Sequence, residues 1–343
     1  MPIEYGSRAP AGRWQASPDE RAGLRRFRTA VLAGWVVLAV AGVWYARVKD
    51  IPASAAAPVL AAFLLQYPFY LAPGFEAVRA WLEEQFSPLT LAILLTGSAL
   101  LPYLTFSLGT EQFAWGALVQ LAALALVITL WYVVLPASPP VDLGLLLLIA
   151  AVVLRRYFAS IYPPPVPGLK GVDVLGHVAL TYLAVTVLLT LRRVSGTGFG
   201  FVPSRADWRI GARHFLYFLP VGLPLGLALH QVGLGSPRLL WWRLAGTFFG
   251  VLWVVGLYEE FFFRGLLQQW LGRWTGSRQL ARLATALLFG LVHLPFGAFP
   301  NWRFALLAAV AGWFYGRAYD QAGSIRASMV THALVVTLRA ALR

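Results

Sequence analysis

The segment Leu257-Tyr258-Glu259-Glu260-Phe261-Phe262-Phe263-Arg264 sets two carboxylates and a guanidinium inside a run that is otherwise almost wholly apolar. From Leu239 to Leu271 the only other charge is Arg243. A charged side chain at the centre of a bilayer costs about 2.5–3.5 kcal/mol on insertion scales, so each of the three requires a partner. On a helix Glu260 and Arg264 lie four apart on one face with the acid first, the better order for an ion pair. Glu259 sits about 100° round the helix from Glu260, and that pair leaves it out. A spare carboxylate at membrane depth belongs in the bundle interior or a wet cavity, where such groups do chemistry.

Two of the five histidines fall in comparable surroundings. His293 ends the apolar stretch Phe289-Gly290-Leu291-Val292-His293 shortly before Pro295. His332 opens the last apolar stretch, in Ser328-Met329-Val330-Thr331-His332, with Ser328 one turn earlier on the same helix face. His177, His214 and His230 lie at span edges or beside basic residues, where solvent or an ordinary hydrogen bond accounts for them. One glutamate and two histidines support two chemistries. Glu259, His293 and His332 can ligate zinc with a fourth position open. Alternatively the carboxylate is the general base on a water, while the imidazoles orient that water and stabilise an oxyanion. Both end in hydrolysis of an acyl bond. The local zinc-protease pattern H-E-x-x-H is absent. A purely structural role is also open, in which Glu259 pairs with Arg243 or Arg282 and each histidine satisfies a backbone carbonyl.

At these residues the sequence resembles the CAAX protease and bacteriocin-processing family of intramembrane proteases, also called the Abi or type II CAAX prenyl endopeptidase family. Its E-E-x-x-x-R motif reads Glu259-Glu260-Phe261-Phe262-Phe263-Arg264, and its F-x-x-x-H motif is met by Phe289 and His293. Its third motif, a histidine followed four residues later by asparagine, begins at His332. The resemblance covers roughly residues 170–343. It implies that Glu259 activates water with the help of His293, and that His332 faces the carbonyl oxygen as charge develops there. Glu260 and Arg264 would hold the helix pair and its electrostatic setting, with Glu260 a possible second catalytic carboxylate. The fourth residue after His332 is Val336, which has no donor; Ser328, Thr337 and the more distant Asn301 are the substitutes at hand. The family has long been described as zinc-dependent, while the geometry attributed to some members favours a metal-free glutamate mechanism, so no cofactor is the preferred expectation and zinc the alternative. The substrate implied is a membrane protein, a lipidated protein or a leader peptide.

The elements that must position these groups are membrane helices. The 343 residues are 59% hydrophobic and 12% charged, against about 25% charged in soluble domains, which points to an all-α polytopic membrane protein. The net charge of +14 is scattered between apolar spans, the pattern of topology signals and anionic-lipid contacts rather than of nucleic-acid binding. There is no cysteine, hence no disulfide and no thiol nucleophile.

Residues 1–28, with Arg8, Arg13, Arg21, Arg25, Arg26 and Arg28, read as a flexible basic cytoplasmic tail. Apolar spans follow at about 29–45, 52–72, 88–107, 113–135, 143–158, 172–191, 215–234, 239–270, 280–295, 303–320 and 325–341, eleven candidates for the roughly 8–11 transmembrane helices expected. Pro58 and Pro68 weaken the second, and residues 74–86 read as an amphipathic interfacial segment. The run Tyr162-Pro163-Pro164-Pro165-Val166-Pro167-Gly168 is the best internal boundary. It divides an N-terminal membrane region of unassigned role, 29–165, from a protease-like region, 166–343. Arg192, Arg193, Arg205, Arg209 and Arg213 make a second basic loop. With that loop and the tail both cytoplasmic, a multi-pass protein of the cell membrane is expected. The pairs Gly246/Gly250 and Gly312/Gly316 have the spacing of close helix contacts.

Three functions are therefore in play: an intramembrane endopeptidase, a non-catalytic scaffold or immunity protein on the same fold, and a proton-coupled transporter. A transporter would show matching halves with broken helices, and none is visible.

Overall fold

The protein was described from a computed structural model, which covers residues 17–233, 241–297 and 299–342. Arg8 and Arg13 of the expected tail lie outside the described residues, as do the expected ends of two spans at 234 and 239. Among the described residues the chain is all-α, with twelve helices and no strand. In order these are α1 (Pro18–Val48), α2 (Ala53–Leu71), α3 (Glu76–Gln85), α4 (Pro88–Gly109), α5 (Trp115–Val134), α6 (Pro139–Leu154), α7 (Val174–Thr190), α8 (Arg205–Ala228), α9 (Trp241–Thr275), α10 (Arg278–Leu291), α11 (Trp302–Ala322) and α12 (Ile325–Ala341). Six of them (α1, α2 with the turn after it, α4, α5, α8 and α9) are long and apolar enough to cross a membrane, and α6 and α7 are apolar but shorter. With 14 residues, α10 is about 21 Å long at 1.5 Å per residue, less than a bilayer core.

Several boundaries differ from expectation for local reasons. Helix α1 begins at Pro18, not near residue 29, because Ser17 and Glu20 form a reciprocal capping box with proline in the first turn. Arg21, Arg25, Arg26 and Arg28 are therefore helical. Ser204 and Asp207 make the same device at the head of α8, which takes Arg205, Arg209 and Arg213 out of the expected loop and into a helix. Pro58 and Pro68 sit inside α2 without ending it, as prolines do where neighbouring groups take up the freed backbone.

The chain forms two compact units, which divide elsewhere than at the proline run. One comprises Met1–Ser138 and Phe158–Arg192. There, polar side chains in apolar helices are satisfied across helices: Gln66 Nε2 donates to Leu175 O at 2.9 Å, Ser98 and Tyr182 share a hydrogen bond of 3.1 Å, and Thr96 and Thr129 one of 3.0 Å.

The other unit comprises Pro139–Tyr157 and Arg193–Arg343 and holds every residue singled out for chemistry. In it α11 packs against α8, α10 and α12, and α12 also packs against α8 and α9. Phe218, Phe289, Leu307, Ala311, Phe314 and Val335 belong to its apolar core. Helix α12 is tied to α8 where Thr331 Oγ1 donates to Gly211 O at 3.0 Å. A Cβ on Gly211 would stand 2.6 Å from Ala327 O, so this approach requires glycine.

Candidate active site

Helix α9 is one continuous helix with two widened, π-helical stretches, Val251–Val255 and Phe261–Gln268. Between them lies the short α-helical stretch Gly256–Glu260 that carries both glutamates. Such widened turns recur at functional sites because each alters the direction in which nearby side chains leave the helix.

Arg264 is fully buried and is among the largest side chains so enclosed. Its Nη1 donates to Glu260 Oε1 at 3.0 Å, and its Nη2 donates to Gly312 O, also at 3.0 Å. The guanidinium lies 4.5 Å from the ring centre of Phe289 and 5.2 Å from that of Tyr315, a cation–π setting worth most where water is absent. The expected pairing of Glu260 with Arg264 is thus present. One turn on, Gln268 Nε2 donates to Gly316 O at 3.2 Å and to Asp320 Oδ1 at 2.8 Å. Asp320 Oδ2 in turn accepts from Arg282 Nη1 at 2.7 Å.

The spacing of Gly312 and Gly316 therefore mirrors that of Arg264 and Gln268. A Cβ on Gly312 would stand 3.0 Å from Arg264 Nη2, and one on Gly316 2.6 Å from Gln268 Oε1. The other pair, Gly246 and Gly250, meets nothing within 4 Å, so its spacing marks no helix contact among the described residues.

His332 is buried in the middle of α12 and reaches both glutamates. Its Nδ1 lies 2.8 Å from Glu260 Oε1, and its Nε2 lies 3.8 Å from Glu259 Oε2. Glu260, paired with Arg264, only accepts, so the ring proton of this bond sits on Nδ1. The imidazole is stacked on Tyr315, with ring centres 4.6 Å apart and planes 15° apart. Glu259 is the less tied carboxylate, as its position implied. Its Oε1 accepts from Tyr258 Oη at 3.3 Å, while its Oε2 is buried and has no hydrogen-bond partner. The 3.8 Å separation from His332 is too long for a direct hydrogen bond.

His293 lies just beyond the end of α10, with Nδ1 2.6 Å from Phe289 O. Phe289 packs against both imidazoles, at 4.7 Å from the His293 ring and 5.9 Å from the His332 ring. His293 is also near enough to Glu259 for that charge to act on it. The phenyl ring of Phe289 thus lies against both imidazoles, one of which reaches towards Glu259.

The three substitutes for the donor absent at Val336 stand differently. Ser328 Oγ donates to Tyr315 O at 2.9 Å. Asn301 closes the loop ahead of α11, donating to Phe296 O at 2.7 Å and accepting from Phe304 N. Thr337 Oγ1 is buried without a partner. Of the remaining histidines, His214 meets Gln321 Oε1 at 2.8 Å and His177 meets Asp173 O at 3.0 Å.

A zinc ion would need three donors converging on one point. Among the described residues no group of three histidine, aspartate or glutamate side chains is so arranged. The donor set of the described residues does not fit a metal.

Tyr258 and Tyr315 were not visible as site residues in the sequence. Tyr258 adjoins the glutamates, and only its hydroxyl among so many phenyl rings could have drawn notice. Tyr315 is three residues beyond Gly312, but nothing local points it at His332.

No curated protein and no solved structure matches the chain. Residues 241–338 match the family model described as type II CAAX prenyl endopeptidase Rce1-like. That interval runs from the start of α9 to the last turns of α12 and contains Glu259, Glu260, Arg264, His293 and His332. The motifs and the match coincide: residues 241–338 are an Rce1-like type II CAAX prenyl endopeptidase domain.

Proposed function

We propose that this protein is an intramembrane endopeptidase, cleaving a peptide bond in a membrane-associated or lipidated protein or in a leader peptide. Its family is one of CAAX-type endopeptidases, which act on membrane-associated protein substrates. The observation that carries the reading is the Glu259 Oε2 oxygen, buried, without a hydrogen-bond partner and 3.8 Å from His332 Nε2. A water lying off the line between those atoms can reach both.

In this reading Glu259 takes a proton from that water as its oxygen attacks the scissile carbonyl carbon, with His293 helping to place it. Negative charge gathers on the carbonyl oxygen, where the doubly protonated His332 ring donates from Nε2 while its Nδ1–H stays on Glu260. When the C–N bond breaks, the proton held by Glu259 passes to the departing amine. Glu260 acts through His332: by accepting from Nδ1 it fixes the ring so that Nε2 faces the reaction. Arg264 holds Glu260 in place. The apolar helices support a multi-pass membrane protein, and the basic N-terminal segment supports a cytoplasmic N-terminus in the cell membrane.

The test compares wild type with Glu259→Gln and His293→Ala in membranes, against prenylated, lipidated and leader peptides. Loss of a general base costs about 10²–10⁴-fold, so Glu259→Gln should show no turnover at unchanged expression. Cleavage that survives both substitutions refutes the assignment. The scaffold reading is favoured by one feature, the apolar Val336 four residues after His332; it predicts no cleavage by the wild type.

A further inference from the structure

Peptide hydrolysis places a negative charge on the carbonyl oxygen, and loss of a single donor aimed at it typically costs about 10²–10³-fold in rate. His332 supplies one such donor in the proposed reaction when its ring carries both protons, Nδ1–H on Glu260 and Nε2–H towards the oxygen. On the next turn of α12 Val336 is apolar, and Thr337, whose buried Oγ1 has no partner, lies about 140° round the helix from His332. Ser328 already donates to Tyr315 O, and Asn301 is taken up by its loop.

Tyr315 stands against the same imidazole. Its ring is stacked on His332, Phe289 meets it edge-on at 5.8 Å, and the Arg264 guanidinium lies 5.2 Å from its centre. The Ser328 bond fixes its backbone carbonyl. The residue is only 2% exposed, yet its hydroxyl is neither bonded to a described residue nor among the sealed oxygens left without a partner. Both glutamates lie within electrostatic reach of that hydroxyl.

We propose that the Tyr315 hydroxyl is the second oxyanion donor of this site, doing what a side-chain amide at position 336 would otherwise do. The assignment rests on the hydrolytic reading above and adds to it a catalytic residue. A phenol suits the task because it donates without bringing a second positive charge beside Arg264, and stacking on His332 holds the two donors in fixed relation.

The experiment is Tyr315→Phe in the full-length protein, assayed in membranes beside wild type and Glu259→Gln. Phenylalanine keeps the stack on His332 and the face offered to Arg264, and removes only the hydroxyl. The expected result is a fall of about 10²–10³-fold in kcat, with KM and thermal unfolding unchanged. A Tyr315→Phe enzyme within about threefold of wild type overturns the inference while leaving the hydrolytic reading intact. A wild type that cleaves nothing, or a Glu259→Gln variant as active as wild type, removes both. Should Tyr315→Phe fail to fold, 3-fluorotyrosine at position 315 keeps the ring and alters the acidity of the donor. A changed kcat then supports the assignment, and an unchanged one overturns it.

Discussion

Arg264→Met tests whether the centre of the domain is held by a charge network or by shape. Methionine keeps an unbranched chain between Phe289 and Tyr315 but removes the donors to Glu260 Oε1 and Gly312 O, both 3.0 Å bonds at a fully buried guanidinium. Removing one partner of a buried ion pair costs about 3–5 kcal/mol, because the other charge stays buried and uncompensated. The Gly312 carbonyl keeps its helical partner and loses only the second donor, a further cost of about 0.5–1.5 kcal/mol. Adding Glu260→Gln to Arg264→Met takes away the stranded charge while leaving an amide oxygen for His332 Nδ1. Only the carbonyl deficit then remains, so the double variant should be about 2 kcal/mol more stable than Arg264→Met alone. Unfolding in detergent micelles, followed by circular dichroism through denaturant titration, measures the four corners of the cycle. Additive losses, with the double variant the least stable of the four, would refute the argument. Activity is expected to move differently: the double variant regains stability but not cleavage, since a neutral amide holds His332 less firmly than a carboxylate.

Other substitutions separate contact from spacing. Gly312→Ala sets a Cβ 3.0 Å from Arg264 Nη2 and 3.1 Å from Phe289 Cδ1, and should cost about 1–3 kcal/mol by overpacking while lowering cleavage. Gly246→Ala, at a position with nothing within 4 Å, should be neutral or gain about 0.5–1 kcal/mol of helix stability; the same unfolding assay reads both, and equal effects would contradict the difference. Asp320→Asn weakens the hold on Arg282 and Gln268 at about 1–3 kcal/mol, with little change in KM. Incubation with a chelator should leave cleavage by the wild type intact, and loss restored by added zinc would count against the metal-free scheme.

What the sequence made legible was local. The ion pair of Glu260 and Arg264 is four residues apart on one helix, so helical geometry alone finds it. The bond from His332 to Glu260 spans 72 residues, and only packing of α12 on α9 creates it. Gly312 and Gly316 announced a close contact, but their partners could not be read, because the matching spacing of Arg264 and Gln268 lies on a helix 48 residues away. The heads of α1 and α8 were readable from Ser17/Glu20 and Ser204/Asp207. The arginines nearby make both segments read as a tail and a loop, because dense positive charge masks the capping signal. The widened turns of α9 have no sequence signature.

Those turns bear on why two consecutive glutamates serve different ends. Adjacent residues on a helix point about 100° apart, yet here both carboxylates approach one imidazole, Glu260 at Nδ1 and Glu259 towards Nε2. The difference between them lies in their other neighbours. Glu260 Oε1 is shared by Arg264 and His332 in a fully buried setting, which fits it for holding and unfits it for taking a proton from water. Glu259 has a single long bond, to Tyr258, and a free inner oxygen. An oxygen left unpaired in a low-dielectric interior costs stability, and a position that keeps such a cost is explained most simply by what the oxygen meets during reaction. Glu259→Gln should therefore abolish turnover without destabilising the fold, whereas Glu260→Gln alone, which leaves Arg264 without a counter-charge, should both unfold early and lose activity through the slackened His332.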